Sequence, residues 1–428
     1  MEKLFAIRAH GSTIRTEILA GLTTFLTMAY IIFVNPNILS SAGMDHGAVF
    51  VATCLAAAIG CFIMGFFANL PVALAPGMGL NAFFTYTVVK EGSHSWEVAL
   101  GCVFFSGVLF ILISLFKIRE WLINAIPATL KKGIAAGIGA FLAIIALEQS
   151  QIIIDHPATL VQLGDITSYI PAMTALCFFM IIGFQHYRVP GGVLLAILII
   201  SMIGILTGHT EYHGIIAEPP SLAPTFMQLD LKAAFDLSMI SIIFAFFFVD
   251  LFDTAGTLIG VTERAGLIKE DGKIPNLKHA LLADSGATIA GAALGTSNTT
   301  SFIESATGVA AGGRTGLVAV TVGILFLLAT FFSPLAGMVP GYATNGAILY
   351  VAVLMMFPLS GIDWGDISEA APVAVAFLGM PLSYSIAEGI TLGFITYTAC
   401  KILTGQIQRI NISVWIITAV LLARLLFL

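Results

Sequence analysis

The sequence predicts an all-α polytopic membrane protein with about 14 transmembrane segments, arranged as a seven-plus-seven inverted repeat. Of its 428 residues, 58% are hydrophobic and 10% are charged, whereas soluble domains carry about a quarter charged residues. Apolar runs near the roughly 20 residues that cross a bilayer recur from end to end. Lysines and arginines cluster on one side of these runs. Lipid is therefore the expected partner of most of the protein surface.

Hydropathy and helix-breaking residues divide the chain into two sets of seven segments, separated by a polar loop at 209–237. The first set lies near 18–34, 47–69, 75–92, 97–116, 131–149, 169–187 and 190–208. The second set lies near 238–262, 277–295, 298–312, 315–333, 341–357, 368–382 and 385–403. A further apolar stretch at 411–427 is either an extra helix or a sign that 368–403 contains fewer spans.

The distribution of basic residues orients these segments. With a cytoplasmic N-terminus, fifteen of the eighteen lysines and arginines fall on the inner side of the membrane. These are Lys3, Arg8, Arg15, Lys117, Arg119, Lys131, Lys132, Arg188, Arg264, Lys269, Lys273, Lys278, Arg314, Lys401 and Arg409. Only Lys90 and Lys232 fall outside, and Arg424 lies near the C-terminus. Because seven is odd, the second set starts from the opposite side and is inverted. We expect an integral protein of the cytoplasmic (plasma or inner) membrane.

The third segment of each set is short and interrupted. These segments read ALAPGMGLNAFF at 73–84 and GTSNTTSFIESATG at 295–308. Paired broken segments at matching places in two halves point to a transporter's binding site, since irregular backbone at membrane depth must be buried or line a wet cavity. We predict extended backbone at 75–80 with a half-helix from near Asn81, and extended backbone at 295–298 with a half-helix from 299–301. The two half-helix N-termini would offer N–H groups to a small polar ligand.

Acidic residues near the broken segments are the main candidates for ligand and proton binding. Asp250 and Asp253 are three residues apart and share a helix face. Glu304 lies inside the second broken segment, where an ionisable group is costly and is by default functional. Two structural alternatives remain: Asp250 and Asp253 could each hydrogen-bond the open backbone of the broken segments, and Glu304 could close a capping box with Ser301.

Hydroxyl, glycine and aromatic residues extend the candidate site. Gly79, Thr299 and Thr300 belong to the broken segments, and Phe83 could stack on a flat ring or simply pack. In GLTTFLTMAY (21–30), Thr24 and its hydroxyl neighbours through Tyr30 could line the same cavity or bond neighbouring backbone. Asp284 and Glu388 have no assigned role. The five cysteines form no CxxC pair, so we expect no disulfide, metal or cofactor.

Several long stretches, in order and covering nearly the whole chain, are similar to one transporter family. They are HGSTIRTEILAGLTTFLTMAYIIFVNP (10–36), NLPVALAPGMGLNAFF (69–84), VDLFDTAGTLIGVTERAGL (249–267), GTSNTTSFIESATGVAAGGRTGL (295–317) and FFSPLAGMVPGYAT (331–344). The chain resembles the AzgA-like branch of the nucleobase cation symporter (nucleobase–ascorbate transporter) family, the purine permeases for adenine, hypoxanthine and guanine.

The resemblance implies a core that carries substrate and moves against a gate. By position, the core would be 15–116 and 238–333, and the gate would be 117–237 and 334–428. Import of a purine base with a proton, and a homodimer formed through the gate, are implied in the same way. The preferred purine, and proton rather than sodium as the coupling ion, are left open by the sequence.

The resemblance also assigns roles to individual residues. By position, Asp253, Glu304 and Asn81 bind the base, and Asp253, Glu304 or Asp250 carries the proton. The uracil and xanthine branches place their segment-ten ligand nearer Thr299, so Thr299 competes with Glu304 for that role.

Two other classes of function are less well supported by these residues. An anion transporter or exchanger of the same architecture should carry a basic residue at the facing helix ends, where this chain has Glu304 and its nearest basic residue, Arg314, lies at the cytoplasmic edge. An enzyme should show a nucleophile or metal motif, and none of the HExxH or GxSxG type occurs. Nothing in the composition suggests a nucleic-acid partner.

Overall fold

The structure is a computed structural model that describes residues 2–115, 127–268 and 274–427. Nine helices in these ranges are long and apolar enough to cross a membrane. Four basic residues used to orient the chain (Lys117, Arg119, Lys269 and Lys273) lie outside the described residues, as does the predicted boundary between core and gate at 116–117.

Helices account for most of the chain up to the polar loop, with three short strands. The helices are α1 Glu2–Phe5, α2 Ile14–Met28, α3 Ile31–Ser40, α4 His46–Ile63, α5 Met78–Ala82, α6 Trp96–Leu115, α7 Ala128–Gln149, α8 Tyr169–His186 and α9 Gly192–Leu206. The strands are β1 Leu74–Pro76, β2 Ile153–His156 and β3 Leu160–Leu163. π-Helical turns at Met64–Ala68 and Phe83–Glu91 continue α4 and α5.

The remaining chain has one strand and a second series of helices. The helices are α10 Leu231–Ala234, α11 Ile240–Arg264, α12 Leu277–Leu294, α13 Ser305–Ala310, α14 Leu317–Ala329, α15 Ser333–Gly337, α16 Gly341–Met356, α17 Ile367–Leu382, α18 Ile386–Leu403 and α19 Ile412–Phe427; the strand is β4 Thr299–Ser301. Short 3₁₀ turns lie at Leu237–Met239, Thr330–Phe332, Phe357–Gly361 and Ile407–Arg409.

The prediction of a helical protein with many spans is confirmed, with local differences. The first predicted segment consists of two helices, α2 and α3, because the chain turns at Ala29 and Tyr30. The stretch at 411–427 is an extra helix, α19, and 368–403 forms two helices. The hairpin of β2 and β3 between α7 and α8 was not predicted; β2 and β3 pair antiparallel from Ile153↔Leu163 to His156↔Leu160.

The described chain forms two compact units. The first contains residues of 1–115 and 172–347, and the second contains residues of 116–171 and 348–428. Both interrupted segments belong to the first unit. The boundaries of a mobile core and a gate remain a prediction.

Strands β1 and β4 join the two interrupted segments within the first unit. They pair antiparallel, with Leu74 opposite Ser301 and Pro76 opposite Thr299. A Cβ at Gly77 would lie 2.6 Å from Thr300 Cγ2, so the two segments approach closely at this point. Because each strand leads toward a half-helix and the strands are antiparallel, the two repeats run in opposite directions here, as the inverted repeat requires.

The predicted boundaries inside the interrupted segments are wrong by a few residues. The first half-helix begins at Met78 rather than near Asn81, and 299–301 is strand, so the second half-helix begins at Ser305. The reason is cross-strand hydrogen bonding. The Phe302 N–H donates to the Ala73 carbonyl over 2.9 Å, which holds the chain extended beyond Ser301.

Replacing Gly316 with alanine should destabilise the first unit. A Cβ at Gly316, which directly precedes α14, would lie 2.1 Å from the Gly65 carbonyl oxygen, so the backbones would have to separate. Overpacking of this kind costs about 1–3 kcal/mol. We expect a lower melting temperature in detergent. Gly183→Ala in α8 is the control because a Cβ there meets nothing within 4 Å; equal melting of the two variants would contradict the packing argument.

A buried lysine organises the second unit. Lys401 of α18 is fully buried and lies 2.6 Å from the Glu369 carboxylate in the first turn of α17. Its Nζ also donates to Ser368 Oγ over 2.8 Å and to Gln406 Oε1 over 3.1 Å. Thr129 of α7 donates to Glu369 as well. These bonds connect α7, α17 and α18 through one charged centre.

Candidate substrate-binding site

Four carboxyl groups lie around the paired strands of the first unit. α11 carries Asp250, which is buried, and Asp253, which is exposed. α12 carries the fully buried Asp284, and the half-buried Glu304 directly precedes α13. Glu304 is close enough to Asp253 for their charges to interact, and Asp250 is similarly close to Asp284. The ion pairs Lys401–Glu369 and His213–Glu211 involve none of the four.

Two threonine hydroxyls lie between the exposed and the buried carboxyls. The Thr300 hydroxyl oxygen lies 3.4 Å from Asp253 Oδ2, and the Thr254 hydroxyl donates to Asp284 Oδ1 over 2.6 Å. The two hydroxyl oxygens are 2.8 Å apart. Ser301 also donates to Asp284 Oδ1 over 3.3 Å. A continuous row of polar atoms therefore runs from Asp253 to Asp284.

Asp250 holds the second interrupted segment in place. Its Oδ2 accepts hydrogen bonds from Asn298 Nδ2 over 3.0 Å and from Thr288 Oγ1 over 3.2 Å. Thr288 Oγ1 also accepts from the Thr299 N–H and lies 3.1 Å from the Thr299 carbonyl oxygen, so its single proton is shared between that oxygen and Asp250. These contacts tie α11 to α12 and to the second interrupted segment through the side chains of Thr288 and Asn298, whereas the structural alternative expected a direct bond from Asp250 to the open backbone.

Glu304 does not cap the helix that follows it. No side-chain hydrogen bond caps α13, and Ser301 lies in β4 with its hydroxyl directed to Asp284, so the predicted capping box is wrong. The Glu304 carboxylate instead accepts a hydrogen bond of 2.6 Å from the Tyr30 hydroxyl. Tyr30 lies where α2 gives way to α3, and Thr27 contacts Thr307 nearby over 3.0 Å. The break in the first segment thus positions Glu304.

Other predicted site residues lie in tightly packed surroundings. Asn81 is buried, and its Oδ1 accepts a short hydrogen bond from Ser297, while its Nδ2 has no hydrogen-bond partner among the described residues. Phe83 packs edge-on against Phe246 with ring centroids 4.8 Å apart. Gly79 is buried inside α5.

Thr24 and Thr299 are both fully buried, and both hydroxyls lack a partner within the described chain. Thr24 lies against Gly308 of α13, where a Cβ would be 2.1 Å from its Oγ1. Close packing of α2 on α13 therefore surrounds this hydroxyl.

Asp284 is the functional candidate that the sequence did not single out. The sequence assigns Asp284 no role because its position beside Thr254 depends on how α11 and α12 pack, which is not visible in either helix alone. A local signal was present. Asp284 and Thr288 are four residues apart in an apolar helix and therefore share a polar face.

These features define a polytopic α-helical integral membrane protein in which two interrupted segments meet as an antiparallel strand pair beneath a carboxyl cluster. The same fold occurs in the transmembrane domain of the cyanobacterium bicarbonate transporter BicA, with a TM-score of 0.67 and 16% identity over 87% of this chain and 97% of that one. The chain belongs to the permease family, whose model matches residues 15–392.

Relatives of this chain include adenine and guanine/hypoxanthine permeases. The adenine permease AdeP of Escherichia coli (strain K12) is 47% identical over 428 residues, covering 100% of this chain and 96% of that protein. The guanine/hypoxanthine permease PbuG of Bacillus subtilis (strain 168) is 44% identical over 423 residues, covering 96% of each. The resemblance drawn from the sequence motifs is thereby confirmed. These relatives are permeases, which points to transport rather than catalysis.

Proposed function

We propose that this protein is a proton-coupled importer of purine nucleobases, with adenine, hypoxanthine and guanine as the candidate substrates. The high identity to adenine and guanine/hypoxanthine permeases over almost the full chain supports this substrate class. The proposed cycle moves a substrate-carrying core against a gate. A homodimer through the gate, and a cytoplasmic N-terminus in the inner membrane, belong to the same proposal; the fifteen inward basic residues support the orientation.

The observation that carries the proposal is the pairing of Asp253 with Glu304. Asp253 is exposed, Glu304 is half-buried, and the two carboxyls are near each other without a basic partner in the described chain. A purine presents ring N–H groups, for which carboxylate oxygens are strong acceptors. An anion would be repelled by the same pair, so the site favours a neutral base over an anion.

Donor groups of the site fit the acceptor atoms of the base. The Asn81 amide keeps a buried N–H pair without a partner in the described ranges, and such a donor is costly unless a ligand uses it. We propose that Asn81 meets a ring nitrogen or carbonyl of the purine, with Thr300 and the backbone at Gly79 nearby. Buried residues behind the binding groups then support the site; they are Thr299, Thr24 and Phe83.

Uptake by cells that lack purine transport tests the proposal. Labelled hypoxanthine and labelled adenine are offered separately, against excess unlabelled adenine, guanine, xanthine, uracil and allantoin, with and without an uncoupler. We expect inhibition by purines alone and loss of accumulation with the uncoupler; the order of competitors identifies the preferred base. Absence of uptake of both labelled bases by folded protein would overturn the proposal.

Tyr30→Phe should weaken purine uptake without unfolding the protein. The lost hydroxyl holds the Glu304 carboxylate, and a hydrogen bond to a charged group contributes about 1.5 kcal/mol, or roughly tenfold in affinity. We therefore expect the purine concentration for half-maximal uptake to rise about tenfold. Tyr187→Phe is the control, since that side chain is 80% exposed. Unchanged uptake by Tyr30→Phe would show that Glu304 needs no support from Tyr30.

A further inference from the structure

The three oxygen–oxygen contacts between Asp253 and Asp284 can all be hydrogen bonds only if a third proton is present. Thr300 contacts Asp253 over 3.4 Å, Thr254 contacts Asp284 over 2.6 Å, and the two hydroxyls contact each other over 2.8 Å. Each threonine hydroxyl carries one proton. If both hydroxyls donate to carboxylates, the 2.8 Å contact has no proton and sets two lone pairs against each other. All three contacts are hydrogen bonds only when one of the two carboxyls is protonated.

We propose that Thr300 and Thr254 form a proton relay that moves one proton between Asp253 and Asp284. With the proton on Asp253, its O–H donates to Thr300, Thr300 donates to Thr254, and Thr254 donates to the Asp284 carboxylate. In the transfer the Asp253 O–H bond breaks, each hydroxyl takes one proton and passes on its own, and an Asp284 O–H bond forms. Both threonines end neutral, and no other reactant is needed.

The surroundings of Asp284 favour a proton at the buried end of this row. Asp284 is fully buried, its Oδ2 meets no hydroxyl or N–H donor among the described residues, and the Asp250 carboxyl lies beside it. An unpartnered buried carboxylate oxygen is costly, and the neutral acid lowers that cost. The other ionisable groups that face the row are Asp250, beside Asp284, and Glu304, beside Asp253. Both are acidic, so neither supplies a compensating positive charge.

The relay explains how a base and a proton could be carried together, and in this respect it rests on the proposed function. A purine N–H donates most strongly to Asp253 when Asp253 is a carboxylate. The relay removes the proton from Asp253 to Asp284 without releasing it to water. The proton is therefore carried on Asp284 while the base binds Asp253, so the two do not compete for one carboxyl.

Thr254→Val tests the relay because it replaces one hydroxyl by a methyl group of similar size. In proteoliposomes with an imposed proton gradient, we expect at least a tenfold lower accumulation of labelled adenine or hypoxanthine, whichever the wild type accumulates. Exchange of internal for external base should stay within about twofold of wild type. Thr254→Ser keeps the hydroxyl and should behave as wild type. Thr262→Val is the matched control, since this buried hydroxyl on the same helix bonds its own backbone.

The pH dependence of binding gives a second readout that a structural defect would not produce. Wild-type affinity for the base should be nearly independent of pH, whereas in Thr254→Val proton and base compete and affinity should fall toward tenfold per unit as the pH is lowered. Wild-type accumulation and pH dependence in Thr254→Val would overturn the relay. If that variant does not fold, the wild type decides: release of one proton per base bound overturns the relay, and release of none supports it. Failure of the wild type to bind any purine would instead count against the proposed function.

Discussion

Asp253→Asn should abolish accumulation of purine against a gradient. The amide cannot take up a proton, and it replaces a charged acceptor of the base N–H by a neutral one. A hydrogen bond to a charged group contributes about 2 kcal/mol, so we expect affinity to fall about 30-fold as well. The measurement is labelled-purine uptake at several external concentrations, with the uncoupler as reference. In the variant, the internal concentration should never exceed the external one.

The matched control for this change is Asp363→Asn. Asp363 is exposed, and its carboxylate accepts a hydrogen bond from the Gly365 N–H, which an asparagine side chain can also accept. This variant should accumulate purine as the wild type does. Concentrative uptake by Asp253→Asn would exclude Asp253 from coupling and would assign that role to Glu304 or to the buried carboxyls.

Lys401→Met should be the most destabilising single substitution proposed for the second unit. Removing the ammonium leaves Glu369, whose side chain is only 21% exposed, without its charged partner, and breaking a buried ion pair costs about 3 kcal/mol or more. Ser368 and Gln406 lose a donor at the same time. We expect melting in detergent several degrees below the wild type. Lys232→Met, at an exposed lysine, should melt as the wild type does.

A double substitution separates the ion pair from simple loss of packing. Glu369→Gln removes the charge that Lys401→Met leaves unpaired, while its amide can still accept from Thr129. The double variant should therefore be more stable than Lys401→Met alone, because neighbours in one charged network are not additive. If the two effects simply add, the destabilisation does not come from the unpaired charge on Glu369.

Local sequence was sufficient to locate the interrupted segments but not to bound them. Pro76 and Gly77 interrupt an apolar run, and that signal is contained in the segment itself. The extended state of Thr299–Ser301 depends on pairing with β1, which lies more than half the chain away in the sequence. No periodicity within 295–308 carries that information, so the predicted start of the second half-helix was too early.

The sequence predicts only part of the carboxyl cluster, because packing between distant elements is again not visible in a local pattern. Asp250 and Asp253 were found because their spacing is a property of one helix. The link from Asp253 to Asp284 passes through Thr300 and Thr254, and so depends on the mutual packing of α11, α12 and β4. The hydrogen bond from Tyr30 to Glu304 likewise depends on the turn between α2 and α3. The apolar pattern of this segment instead predicts one continuous helix.

The pairing of β1 with β4 has a consequence for biosynthesis. The strand from the first repeat leaves the ribosome long before its partner, so its backbone groups at membrane depth must wait for the second repeat to be inserted. The proposed purine site is therefore among the last parts of the first unit to form. Chains that stop before residue 301 should remain targets for membrane quality control, since their unpaired strand has no neighbour to cover it.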